Sequence, residues 1–120
     1  MKKIHLSKPS LITRDYKTIL SSIKTGWLTH GSNNLIFKKK FCNLVKAKYA
    51  VSMNSCTSAL ECALKIIKKK GEVVIPSWTW VTTANVVLNT GNTPVFADVE
   101  INSRNITANE IEKCITKKTI

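Results

Sequence analysis

The run Asn54-Ser55-Cys56-Thr57-Ser58-Ala59-Leu60 holds the residue types best suited to gripping an anion. It lies where the strand-like stretch Tyr49–Met53 gives way to an apolar helical pattern. A turn at such a junction leaves backbone N–H groups without intrahelical acceptors, and a helix N-terminus favours negative charge. The hydroxyls of Ser55 and Thr57 can point to the same place. The turn is therefore a candidate phosphate cradle. The competing use is a plain helix cap by Ser55 or Thr57, which is the commoner role of such residues.

Two further groups fall at strand ends. Pro76-Ser77-Trp78-Thr79-Trp80 follows the β-branched run Val73-Val74-Ile75, and Asp98 follows Thr93–Ala97. Parallel α/β sheets bind ligands beyond the carboxyl ends of their strands. An indole beside a phosphate cradle suits a planar phosphorylated ligand, with ordinary packing as the alternative use of the ring. Cys42, Cys56, Cys62 and Cys114 lack the paired spacing of a metal site, and none is expected.

The elements that must position these groups follow from periodicity. Thr13 can cap a helix that runs to about Thr25, with Tyr16, Ile19, Leu20 and Ile23 on one face and Gly26 at its end. The segment Gly26–Gly31 reads as a loop. A second helix starts near Asn34, and Lys46–Met53 turns into a strand. The helix after Ser55 runs through Leu60, Ala63, Leu64 and Ile67 and closes on Lys68–Lys70 and Gly71. Val73–Ile75 is a short buried strand, Thr79–Leu88 a helix, and Thr93–Ala97 another strand. Thr107-Ala108-Asn109-Glu110 has capping-box spacing, so a helix follows to about Ile115. Alternation of strand and helix from Tyr49 onward predicts an α/β domain with a mainly parallel sheet. The expected division is a helical segment over 1–48 and the start of the sheet over 49–120. Cys114–Ile120 stops where another strand should begin, so the chain reads as cut short.

Length and charge bound the rest. At 120 residues, 43% of them apolar, the chain can bury a core. Its net charge of +12, from 19 Lys and Arg against 7 Asp and Glu, raises nucleic acid or an acidic membrane surface as partner. Only Arg14 and Arg104 are arginines, however, and the lysines sit in clusters without interleaved aromatics. A basic nucleic-acid-binding domain is thus the disfavoured alternative. No run is apolar enough to span a bilayer and the N-terminus lacks a signal-peptide core, so a reducing, cytoplasmic setting and no membrane are expected.

Four segments together resemble the N-terminal part of the DegT/DnrJ/StrS sugar aminotransferases. They are Gly26-Trp27-Leu28-Thr29-His30-Gly31, Asn54–Leu60, Pro76–Trp80 and Pro94-Val95-Phe96-Ala97-Asp98-Val99. The resemblance runs from about Ile4 to Ile120. It implies the type I fold of enzymes dependent on pyridoxal 5'-phosphate (PLP). It implies that Ser55, Cys56 and Thr57 hold the PLP phosphate and that Trp80 stacks on the pyridine ring. The Trp27–Gly31 loop resembles one near the active site of the family's homodimer, which implies substrate contact for Trp27 and Thr29, with packing of the loop on the domain as the alternative use.

The resemblance further implies amino transfer from a donor such as glutamate to a keto sugar carried on a nucleotide. Cys56 departs from the small residue usual at its position. The family's Schiff-base lysine and pyridine-binding Asp lie beyond the matched stretch, so no catalytic residue is assigned among these 120. The expectation is an N-terminal fragment, inactive alone, that a separately encoded C-terminal part could complete. A non-catalytic remnant or interaction module is the alternative.

Overall fold

The computed structural model describes residues 4–120, in two compact units, the first ending at Ser52 and the second spanning Met53–Ile120.

The first unit holds two helices. Helix α1 covers Thr13–Lys24 and is capped by Ile12, one residue before the expected Thr13. A side-chain oxygen is not needed there because the Ile12 carbonyl accepts from the Asp15 and Tyr16 N–H groups at 2.9 and 3.4 Å, while the Asp15 carboxylate accepts from the Ile12 N–H at 2.9 Å. Gly26 follows the helix at φ 70°, in the left-handed region that glycine adopts freely. Helix α2 covers Ser32–Val45, starting two residues before Asn34, and stops at Lys46 with φ 57°.

The expected strand over Lys46–Met53 does not form. A strand exists only through a neighbour that accepts and donates along its backbone. Among the described residues no segment pairs with Tyr49–Met53, and Tyr49 is 77% exposed.

The second unit contains the sheet. Helix α3 (Cys56–Ile67) is followed by β1 (Glu72–Pro76), α4 (Val81–Asn89), β2 (Thr93–Ala97) and α5 (Ala108–Cys114). Strands β1 and β2 pair in parallel, Glu72 opposite Thr93 through Pro76 opposite Ala97. On the other side of β1, Thr119 forms a parallel bridge with Glu72. That bridge is isolated and adds no strand to the two-stranded sheet among the described residues. Thr107 caps α5 as its capping-box spacing predicts, accepting from the Glu110 N–H at 3.4 Å.

The core lies between α4 and the sheet. Among the described residues its buried apolar side chains are Ile75 on β1, Val86 and Val87 on α4, and Ala97 on β2. At the amino end of the strands, buried Asn92 ties three segments together. Its Oδ1 accepts from the Gly71 N–H at 3.1 Å, its Nδ2 donates to Thr90 Oγ1 at 3.0 Å, and Thr93 N donates to Gly71 O at 2.9 Å. Lys70 reaches the same corner, donating to the Thr90 carbonyl. The C-terminal ends of α3 and α4 are thereby held side by side. Asn92→Ala leaves the Gly71 N–H without its acceptor and should cost about 1–3 kcal/mol, read as a lower urea midpoint with an unchanged slope.

Candidate functional site

The corner around Asn92 fixes which end of the second unit the helix N-termini face. Helices α3 and α4 pack on each other and finish together at the amino end of the strands. Both run back against the strand direction, so both N-termini lie toward the carboxyl end. Ser55, Cys56 and Thr57 open α3, Trp80 is the cap residue of α4, and Asp98 directly follows β2.

Ser55 is the N-cap of α3, and its Oγ accepts from the Ser58 N–H at 3.1 Å. Ser58 Oγ lies 3.0 Å from Ser55 Oγ, which makes Ser58 a fourth polar member of the turn. The first backbone N–H to find a carbonyl acceptor is that of Ala59, which donates to Ser55 O at 3.2 Å. Among the described residues the N–H groups of Cys56 and Thr57 have no acceptor, and no acidic side chain occupies the first turn. Two free donors at the positive end of a twelve-residue helix fit a phosphate dianion. Capping does not use up the turn: Ser55 uses its hydroxyl on Ser58, and the Cys56 and Thr57 N–H groups keep no acceptor among the described residues.

Trp80 caps α4 through its backbone only, its carbonyl accepting from the Thr83 N–H at 2.9 Å, and the residue is 75% exposed. Trp78 differs. The Arg104 guanidinium carbon sits 5.7 Å from its ring centroid, a cation–π contact. Residue order gives no signal for this pairing, because Arg104 comes from the turn after β2. Asp98 holds its own local turn, its Oδ1 accepting from the Val99 N–H at 2.8 Å.

Trp27 and Thr29 belong to the first unit. The Trp27 indole N–H donates to the His30 carbonyl at 3.0 Å. Gly31 lies against the ring edge, where an added Cβ would come within 2.8 Å of the indole. Both residues line a polar groove of about 310 Å³ with Ser21, Ser22, Asn33 and Asn34. Among the described residues there is no cluster of metal-ligating side chains, all four cysteines are free, and no helix is long and apolar enough to cross a membrane.

The model of the DegT/DnrJ/EryC1/StrS aminotransferase family matches residues 9–120. The chain belongs to that family. It is 38% identical over 115 residues to the spore coat polysaccharide biosynthesis protein SpsC of Bacillus subtilis, covering 94% of this chain and 30% of SpsC. In structure it is similar to Helicobacter pylori PseC, an aminotransferase involved in the biosynthesis of pseudoaminic acid. That similarity has a TM-score of 0.88 and 33% identity over 98% of this chain and 33% of PseC. It is also similar to the PLP form of Spr1654 from Streptococcus pneumoniae, with a TM-score of 0.86 and 25% identity over 98% of this chain and 31% of that one. The chain therefore spans about a third of the length of the relatives it matches, and its fold is that of the corresponding part of PLP-dependent aminotransferases. PLP is the cofactor of complete relatives.

Proposed function

We propose that the chain is the cofactor-gripping part of a PLP-dependent nucleotide-sugar aminotransferase, which moves an amino group from a donor such as glutamate to a keto sugar. The observation that carries this is the unpaired N–H pair of Cys56 and Thr57 at the carboxyl end of the sheet, with the open indole of Trp80 at the same end. When bound, PLP supplies an electron sink for the bond changes at the substrate carbon. The backbone of Cys56 and Thr57 and the hydroxyls of Ser55 and Thr57 would hold its phosphate, and Trp80 would lie against its ring. Trp27 and Thr29 would meet the sugar substrate. The polar lining beside them, rich in hydroxyls and amides, is suited to a polyhydroxylated ligand.

Transamination also needs an amine to carry the cofactor and move protons, and a carboxylate to keep the pyridine nitrogen protonated. No lysine here stands in a segment that matches the family's lysine motif. We assign both groups to the part of the relatives beyond the matched stretch, on the same polypeptide or a separate one, working as a homodimer. Four free cysteines fit a cytoplasmic setting.

Titration of the pure 120-residue chain with PLP should therefore quench its tryptophan fluorescence saturably and weakly. The same chain with PLP, glutamate and a nucleotide-linked keto sugar should give no amino sugar. Turnover by the pure chain, or a titration with no saturable phase, would overturn the proposal.

A further inference from the structure

Lys68-Lys69-Lys70 and Lys117-Lys118 are far apart in sequence and adjacent in the fold. The backbone joins them: Glu72 N donates to Lys118 O at 2.9 Å, and Ile120 N donates to Glu72 O at 3.1 Å. Lys69, Lys70, Lys117 and Lys118 line a cleft of about 510 Å³, together with Glu72 and Thr93. Gly71 permits this closure, because a Cβ there would collide with the Lys118 carbonyl.

The charge in the cleft is unbalanced. Among the described residues the ion pairs are Lys65–Glu61 and Lys113–Glu110, and none of the four cleft lysines reaches a carboxylate. Glu72 is turned to Thr116, whose Oγ1 donates to its carboxylate at 2.5 Å. Lys70 also donates to the Thr90 carbonyl, and the four lysine charges outnumber the one Glu72 carboxylate of the lining, an excess that a bound anion would relieve.

We propose that this cleft binds a chain of two or three linked phosphates. Four lysines against Glu72 leave the lining at +3, so a single phosphate, with at most about two negative charges, leaves an excess that two or three linked phosphates cover. Lysine serves phosphate as a point charge. The lining has no arginine to read base edges and no aromatic ring to stack on bases, which disfavours a nucleic-acid strand. The volume lies within the roughly 300–1,000 Å³ usual for small-ligand sites. The cleft sits at the amino end of β1, whereas the PLP cradle proposed above lies at the carboxyl end, so the two assignments stand or fall separately.

Calorimetric titration of the full chain with sodium tripolyphosphate, at about 50 mM and about 300 mM salt, tests the assignment. Binding should be measurable at low salt and weaken at high salt. K117E/K118E should lose at least about 30-fold in affinity, while K38E/K39E, the same charge change on α2, should lose less than about 3-fold. Amide shifts of Gly71 and Thr93 in the unsubstituted chain locate the site without any variant. A nucleoside triphosphate run in parallel names the source: the tighter of the two ligands is the better match, and tripolyphosphate binding supports the proposal in either case. No tripolyphosphate binding at low salt, equal losses in the two double variants, shifts confined to other residues, or tighter binding of an oligonucleotide of matched charge would each overturn it.

Discussion

Replacing Ser55 with aspartate should leave the second unit folded and weaken PLP binding by at least about 100-fold. Aspartate is as good an N-cap as serine, so the acceptor for the Ser58 N–H, now at 3.1 Å, is retained. What changes is charge. A carboxylate would stand one residue from the free N–H groups of Cys56 and Thr57, where the phosphate is proposed to sit. Like charges brought together in a site cost several kcal/mol, and about 2.7 kcal/mol is already a factor of 100. Fluorescence titration with PLP reads the affinity, and urea unfolding followed by circular dichroism reads the fold. The substitution separates the two uses of the turn. If Ser55 acts only as a cap, affinity stays where it was. Thr57→Val, which removes one hydroxyl and adds no charge, should give a smaller loss of about 10-fold.

The second large effect concerns stability. Ile75→Ala should destabilise the second unit by about 2–5 kcal/mol, the range for truncating a buried isoleucine. Ile75 is 4% exposed, on β1 opposite Phe96 of β2, and among the described residues the buried apolar set it belongs to has four members. Few neighbours are available to absorb the lost contacts. Ile66→Ala on α3 is the control: that residue is 76% exposed and its truncation should stay within about 0.5 kcal/mol of neutral. Urea midpoints of the two variants decide it. Similar midpoints would mean that burial in this unit is not what holds it together.

Local signals were enough for most of the elements. The β-branched run before Pro76 became β1, Thr93–Ala97 became β2 with the expected bounds, and the Thr107–Glu110 box started α5. Each of these depends on residues within one turn or one strand, where propensity, capping and proline act directly. Helix α1 is capped one residue before Thr13 because the Ile12 carbonyl accepts from the Asp15 and Tyr16 N–H groups and Asp15 accepts from the Ile12 N–H, an exchange that needs no hydroxyl at the cap. The stretch 49–53 failed as a strand for a different reason. Its residues favour extended backbone, but a ladder needs a partner that no local rule supplies.

The order of residues by itself determined the family and the α/β alternation from Cys56 onward, and it put Ser55 and Trp80 at the starts of α3 and α4. These are short, contiguous patterns, and their chemistry is written in side-chain type. Tertiary structure decided three things that sequence could not. It turned the N-termini of α3 and α4 toward one end of the sheet through the Asn92 corner. It set Arg104 over Trp78 while leaving Trp80 open. It also drew two distant lysine runs into one cleft through the Glu72–Thr119 bridge. All three depend on contacts between segments more than twenty residues apart. Closing such loops fixes which groups meet, and that outcome is set by the packing of the whole unit rather than by any window of the chain.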